Sequence, residues 1–331
     1  MFAILNCLSS NAQFTDRYWA FGDSAAIDFK NSSNPQPAYS VLQSRGTCAS
    51  ICDSSGDLLF YCGTPYVYQW RLPTFNYTYG YIVNKAHQLM ERGDSIVGTT
   101  WYQEMVIVPD PSNINRFYIF CAGVTNVKHG LFYSILDLSY NGGLGKVVQK
   151  NVQLRNDTIC DGITAVKHGN GRDWWVIAQS WKTVHTNDIT AYLINPNGVF
   201  VNTTQFIGTL TSFDTAKKLK FNIDGNHIYN VSANGLINRF DFDRCTGVFS
   251  NPIIYAGINS PHDDYIGFEV SPDESKLYAS QIYQTFNGDT SYIIQFDLNS
   301  SNFLASADTL GTYQSPDTPG LLELGPDGKY I

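Results

Sequence analysis

A short polar turn followed by an alternating, strand-like run returns along this chain roughly every fifty residues. "SPDESKLYAS" begins at Ser271, "NIDGNHIYNVS" at Asn222, "CDSSGDLLFYC" at Cys52 and "GPDGKYI" at Gly325. Looser versions are "PDPSNINRFYIFC" from Pro109 and "KHGNGRDWWVIA" from Lys167. Aligned strand positions are Phe60, Ile119, Val176, Tyr229, Tyr278 and Tyr330, in steps of 59, 57, 53, 49 and 52 residues. A strand-forming unit repeated at that period points to a propeller blade or kelch-type unit.

The unit from Tyr265 to Ala307 reads most clearly. "YIGFEV" alternates as a strand, and "SPDES" is a tight turn in which Pro272 presets φ and Asp273 bonds the backbone two residues on. "KLYASQIY" is the next strand, and "FNGDT" carries the Asn-Gly hairpin signal. "SYIIQFDL" is a third strand, "NSSN" a turn and "FLASA" a fourth strand. The same order runs from Lys217 through "KLKFNI", "NHIYNVS", "GLINRFDF", the turn "DRCTG" and "VFSNPII".

Four such strands form a sheet with two apolar faces, which is marginal alone. Radial stacking against like sheets buries both faces and leaves few open edges. The fold expected is all-β, a propeller of four-stranded antiparallel blades. Six or seven blades are expected in the complete protein, with the last truncated here. Residues 13–331 read as one propeller domain, incomplete at its C-terminus. "RYWAFG", Arg17 to Gly22, is expected to pair into the final blade and close the ring. Residues 71 to 100 read as a long inter-strand excursion.

Composition agrees. The chain has 331 residues, 43% hydrophobic, with 21 Tyr, 20 Phe and only 3 Met, which favours strands over helices. Its net charge of -8 argues against nucleic-acid phosphates as a partner. No apolar run is long enough for a spanning helix. Residues 1–12, with an apolar Phe2–Leu8, read as the remnant of a secretory signal. The seven Cys show no zinc-like spacing. A turn centred near Ser55 would set Cys48 opposite Cys62, where an exported protein can form a disulfide.

The phrases "YWAFGDSAAIDF", "DLLFYC", "NKAHQLM", "VIVPDPSNINRFYIF", "LDLSYNGGLGKVVQKN", "ITAVKHGNGRDWWVIA", "AYLINPNGV", "LKFNIDG", "FDFDRCTGVFSNP" and "GFEVSPDESKLYAS" occur in this order. Together they resemble the N-terminal propeller, with its WD-like repeats, of large secreted surface proteins from gliding Bacteroidetes. Those proteins often continue into PKD-like modules and a gliding-motility-associated C-terminal sorting domain. The resemblance covers nearly all of the chain from Tyr18 onward. It implies export by type IX secretion, an extracellular or outer-surface location, and a monomer within a larger multidomain chain. The family has no agreed catalytic residues. The segment from Tyr61 to Met90 is longer than its usual counterpart, which leaves the second half of the first blade unassigned.

Several groupings have plain structural readings. His168, in "KHGNGRD", reads as a turn-bonded histidine. "NGGLG", Asn141 to Gly145, lacks the GK[ST] ending of a phosphate loop and reads as a hairpin turn. "SPHDDY" places His262, Asp263 and Asp264 together. A solvated loop is the simpler reading, and calcium is the cation that carboxylates there would suit. No other cofactor is expected, and no nucleophile elbow is present.

Two features point further. Aligned on the turn, Lys220, Glu269 and Glu323 fall at equivalent positions of the first strand, with Ala49 in the same place in the first unit. That strand lies nearest a propeller's axis. Charges inside apolar strands are costly unless they reach water or one another, so these three are expected either to line the central channel or to pair between blades. Trp70, Trp101 and Trp181 are the candidates for an aromatic, sugar-stacking rim, whereas Trp174 and Trp175 point to opposite faces of one strand and suit packing. The function expected is a non-catalytic binding or adhesion module for a polysaccharide or surface protein. The alternatives are a hydrolase or lyase working at the channel mouth, and a structural spacer.

Overall fold

The computed structural model describes residues 16–65, 80–98, 103–124, 129–181, 186–211, 217–260, 262, 264–283, 290–314 and 320–330. It is a six-bladed β-propeller. Sheet one is β1 (Tyr18–Ala20), β2 (Ala25–Asp28) and β3 (Gln36–Tyr39). Sheet two is β4 (Ser44–Cys52), β5 (Leu58–Pro65) and β6 (Tyr81–Asn84). Sheet three is β7 (Met105–Pro109), β8 (Arg116–Gly123), β9 (Gly130–Asp137) and β10 (Lys146–Arg155). Sheet four is β11 (Thr164–Lys167), β12 (Trp174–Gln179), β13 (Thr186–Asn195) and β14 (Gly198–Thr211). Sheet five is β15 (Lys217–Phe221), β16 (His227–Ser232), β17 (Ile237–Asp243) and β18 (Val248–Ala256). Sheet six is β19 (Tyr265–Val270), β20 (Lys276–Tyr283), β21 (Thr290–Asp297) and β22 (Asp308–Gln314). Described neighbours within every sheet run antiparallel.

The recurring turn works through local side-chain bonds. Asp273 Oδ1 accepts from Ser271 Oγ at 2.6 Å and the Ser275 amide at 3.1 Å. Asn222 Oδ1 does the same for the Asn226 and His227 amides at 3.0 and 2.9 Å. Such bonds offer the backbone an alternative to continuing the strand, so the chain reverses there. The "DRCTG" turn follows suit, with Asp243 Oδ1 accepting from the Cys245 amide at 2.8 Å.

Both faces of the inner blades are buried, as the stacking argument requires. Trp174 packs with Val108, Phe120 and Ile194 on one side of its blade. Trp175 packs with Leu219, Ile228 and Phe242 on the other. The Trp175 indole N–H donates to Arg244 O at 2.7 Å, so its polar edge is satisfied inside the seam. His168 is held in its turn, its Nδ1 accepting from the Asn170 amide at 2.9 Å while its ring stacks on Trp175. "NGGLG" forms a 3₁₀ turn, Asn141–Gly143, between β9 and β10.

Three expectations are corrected, those for "FLASA", the cysteine pair and the strand alignment. "FLASA" is not a strand: Leu304–Ser306 is a 3₁₀ turn, and the fourth strand of that blade is β22. Phe303 stacks on Phe296 with centroids 4.7 Å apart, so the segment folds inward as a plug rather than outward as an edge. "RYWAFG" yields the strand β1, which pairs with β2 in sheet one, Tyr18 opposite Asp28. The cysteine pair is not bridged. Cys48 lies opposite Gly63 and Cys62 opposite Ala49, so the two thiols sit one position apart and on opposite faces. Finally, the turn hydrogen bonds align Tyr118 and Trp175, not Ile119 and Val176, with Tyr229.

Candidate functional site

Each turn is closed by one backbone bond, and these bonds fix the level of every inner strand. They run from Asp53 N to Asp57 O, Asp110 N to Arg116 O, His168 N to Asp173 O, Asn222 N to His227 O, Ser271 N to Lys276 O, and Gly325 N to Lys329 O. Two residues before each donor stand Ile51, Val108, Val166, Lys220, Glu269 and Glu323. The three sequence-predicted charges therefore share one level of the ring. Ile51, not Ala49, is their counterpart in sheet two, because Asp53 is itself the amide donor of its turn, whereas Asp224, Asp273 and Asp327 follow their donors by two residues.

The three charges meet. Lys220 Nζ lies 2.6 Å from Glu269 Oε2 and 2.7 Å from Glu323 Oε2, and donates to Leu322 O at 3.3 Å. An ammonium has three donors, and all three are used. Glu269 is equally engaged: Oε1 accepts from the Val270 amide at 2.9 Å and Oε2 from the Leu324 amide at 3.0 Å. The segment Gly320–Tyr330 thereby docks on sheet six. Ser280 Oγ donates to Gly320 O at 2.7 Å, and Tyr330 lies against Tyr278. Its other side faces sheet one, where a side chain at Gly325 would meet Phe29.

The cluster opens into a cavity of about 500 Å³ lined by Asp16, Arg17, Lys220, Asn222, Glu269, Ser271 and Glu323, among others. Glu323 is 51% exposed, Glu269 only 8%. Glu323 is one of the residues that line this cavity. A smaller space of about 120 Å³ adjoins it, lined by Thr47, Gln103, Met105, Leu219, Phe268 and Leu322. Gln103 reaches across it, its Nε2 donating to Leu219 O at 2.6 Å and its Oε1 accepting from Leu219 N at 3.3 Å. Its carbonyl accepts from Ile163 N, which ties three blades together at one residue. Gln103 takes φ of 55°, a left-handed conformation that its two-sided bonding holds in place. Gln103 and Asp16 lie outside the repeated phrase, and no sequence signal marks them.

The electrostatics follow from crowding. Burial opposes the charge of Lys220, but Glu323 and Glu269 outweigh it and raise its pKa. Burial raises the Glu323 carboxyl above its ordinary range, with Lys220 pulling it back and Glu269 pushing it up. Burial likewise raises Asp16 against the Trp19 hydrogen bond and the charges of Lys220 and Arg17.

A second polar hub adjoins the mouth through Asn222. Glu274 Oε2 accepts from Tyr229 OH and lies the same 2.7 Å from His227 Nδ1, while Oε1 accepts from Asn222 Nδ2 at 2.7 Å. Burial works against the Glu274 charge, yet the bonds from Tyr229, His227 and Asn222 hold its pKa below the usual range. This hub joins sheets five and six.

The remaining candidates that the structure describes do not converge on the mouth. Trp70, Trp101 and Asp263 lie outside the described residues. Trp181 is half-buried, its amide donating to Thr158 O at 3.0 Å. His262 packs edge-on to Phe296, and the Asp264 amide donates to Ala233 O. Among the described residues, no group of three or more His, Cys, Asp or Glu side chains is disposed to hold a metal. No described helix is long and apolar enough to cross a membrane.

No family model matches the sequence, and no curated protein matches it. A putative 6-phosphogluconolactonase from Bacteroides uniformis is similar in structure, with a TM-score of 0.53 and 13% identity over 94% of this chain and 86% of that one. An α-L-arabinofuranosidase from Podospora anserina matches at a TM-score of 0.37 and 10% identity, over 66% of this chain and 69% of that one. The first likeness shows the propeller fold and says nothing of chemistry. The second is too low to support an argument.

Proposed function

We propose that this chain is an extracellular, non-catalytic binding module whose channel mouth receives a polar, hydroxyl-rich ligand, the end of a polysaccharide chain. One observation carries the reading: a cavity of about 500 Å³ in which Lys220 bonds both Glu269 and Glu323 and fixes the three side chains in place. Pairing leaves neither a free nucleophile nor an isolated charge. It leaves pre-oriented acceptors on Glu323 and Asp16, with Asn222 and Ser271 beside them, suited to hydroxyl groups. Surface location rests on the ten ordered phrases that resemble propellers of gliding Bacteroidetes.

A panel of soluble polysaccharides, added before thermal melting, tests the proposal. A ligand that binds the native state raises the midpoint by mass action. Glu323→Ala should abolish a shift seen with the unaltered chain. Parallel melts with calcium and with chelator separate a cation effect from a sugar effect. A flat response to every glycan would redirect the search to protein partners.

Hydrolysis is the second reading, favoured by the raised pKa of Glu323 beside Glu269. A pair of carboxyl groups flanking the scissile bond is the arrangement that glycoside cleavage uses. Release of reducing ends from the same panel, lost in Glu269→Gln, would establish it.

A further inference from the structure

The outer strand of each blade has a far edge with no strand neighbour among the described residues, and five of the six are guarded. β3 is four residues long and contains Pro37. β6 is covered by the following segment, with Ile82 N bonded to Gly93 O and Met90 N to Ile82 O, both at 2.9 Å. β10 carries Lys146, Lys150 and Arg155 and breaks register three times. β18 contains Pro252. β22 is seven residues long, opens on Asp308 and shifts register once. Short length, proline, charge and bulges are the devices that keep edges from pairing with other chains.

β14 is the exception. It is the longest strand, at 14 residues, and "GVFVNTTQFIGTLT" contains neither proline nor a charged residue. Its pairing with β13 shifts register twice, at Asn202 and again between Phe206 and Thr211, but Thr203–Phe206 stays in regular register, and its length, its lack of charge and its lack of proline set it apart from the other edges. Its side chains are also unusually apolar for a rim: Val201 is 60% and Phe206 73% exposed, with Phe200 and Leu210 beside them. The adjacent rim strand β18 adds exposed Ile253 and Ile254, and it too carries no charge. The Gln205 side chain locks the two strands together, bonding both N and O of Phe249 at 2.8 and 2.9 Å. The edge is thus held rigid, which lowers the entropy cost of docking.

We propose that this rim is a self-association surface, on which a second copy of the chain docks by antiparallel pairing of the two β14 strands across a two-fold axis. The charge distribution selects the occupant. The chain carries a net charge of -8, so two copies repel over most of their surface. A two-fold interface sets like against like, and a charge-free strand is where that juxtaposition costs nothing. A foreign partner of an acidic protein would more naturally meet charges of opposite sign. Edge pairing supplies main-chain hydrogen bonds, and the flanking Val, Phe and Ile side chains supply buried apolar area. The inference is independent of any ligand in the channel.

Light scattering and sedimentation equilibrium on the full chain test it. A particle of twice the 37.0 kDa chain mass is expected, in concentration-dependent equilibrium with the monomer. Val201→Lys and Phe206→Lys, separately and together, place charge on exposed sites and should leave near-ultraviolet circular dichroism unchanged. The pair should weaken association by at least about 100-fold, a loss in the range of interface hot spots. Amide exchange in β14 should slow as the dimer fills. A chain that stays monomeric at every concentration, a dimer indifferent to both lysines, or an open-ended assembly would each overturn the proposal.

Discussion

Replacing Lys220 with methionine keeps the side chain's length and removes its charge. Glu269, which is nearly buried, and Glu323 would then face each other without a cation. Removing one partner of a buried pair costs about 3–5 kcal/mol. Glu323 is 51% exposed, so part of that cost is screened and about 2 kcal/mol is expected. For a chain of this size that is a fall of roughly 4 °C in melting temperature. The pH dependence identifies the cause. The raised pKa of Lys220 gives stability that is complete below its unfolded value near about 10.4 and is lost only as alkaline pH rises through the folded value, so it does not change between pH 5 and 8 on the order considered. Glu323 is already raised, and losing Lys220 raises it further. The folded state then holds a proton that the unfolded state releases above about pH 4.3, so stability is gained as pH falls through that window. Calorimetry of both proteins at about pH 8 and about pH 5 should show the deficit shrinking in acid. Lys220→Met with Glu323→Gln should recover about half of the loss at the higher pH. A deficit that ignores pH, or a double variant no better than the single one, would mean that the triad is not electrostatically coupled.

Glu274→Ala should cost about 2–3 kcal/mol in urea titrations at neutral pH, since it strips the acceptor from Tyr229, His227 and Asn222 together. Because the Glu274 pKa is depressed, its contribution is present above the unfolded value and lost as pH falls through the folded one; the two titration curves should converge in acid, and coincidence at neutral pH would refute the hub. Gly162→Ala would place a methyl 1.9 Å from Lys217 O at the seam of sheets four and five, whereas Gly257→Ala meets nothing within 4 Å. Melting should fall sharply for the first alone, by the equivalent of more than about 2 kcal/mol. A thiol reagent should label exposed Cys245 fast and spare Cys52, Cys62, Cys121 and Cys160, which are buried. Burial lifts the Cys48 and Cys52 thiols to about 11, slowing them further. Unfolding without reductant should expose every thiol, and a mass showing two cysteines unlabelled would reinstate a disulfide.

The inner strands were legible in the sequence because their determinants are local. Asp273 and Asn222 bond backbone only a few residues away, so the turn shows in any short window. Not every outer strand was: "VFSNPII" falls in β18 as read, but β22 was missed, and it shows why. "DTLGTYQ" faces solvent and carries no apolar alternation, while the neighbouring "FLASA" alternates convincingly and is not a strand. What decides between them is the contact of Phe303 with Phe296, which lies in a different strand and leaves no mark on local periodicity. The disulfide expectation failed by one residue for a related reason. Strand pairing has a period of two, so a register shift in β4 moves a thiol to the opposite face.

The charged triad was legible for a reason that does not extend to the rest of the mouth. A repeat supplies a coordinate, and residues at the same offset from the turn occupy the same level of the ring. Lys220 and Glu269 are 49 positions apart, Lys220 and Glu323 are 103, yet all three meet. The other half of that level is Ile51, Val108 and Val166, so the charge is confined to sheets five and six and the C-terminal segment. Asp16 and Gln103 carry no such coordinate. Asp16 precedes the first repeat, and Gln103 enters just ahead of β7 and bonds the backbone of β15, two blades on. A propeller's walls are written in its repeat, but its mouth and floor are built by residues that escape the repeat. Those are the positions at which chains sharing this fold are free to diverge, which is why likeness of fold leaves the ligand undetermined.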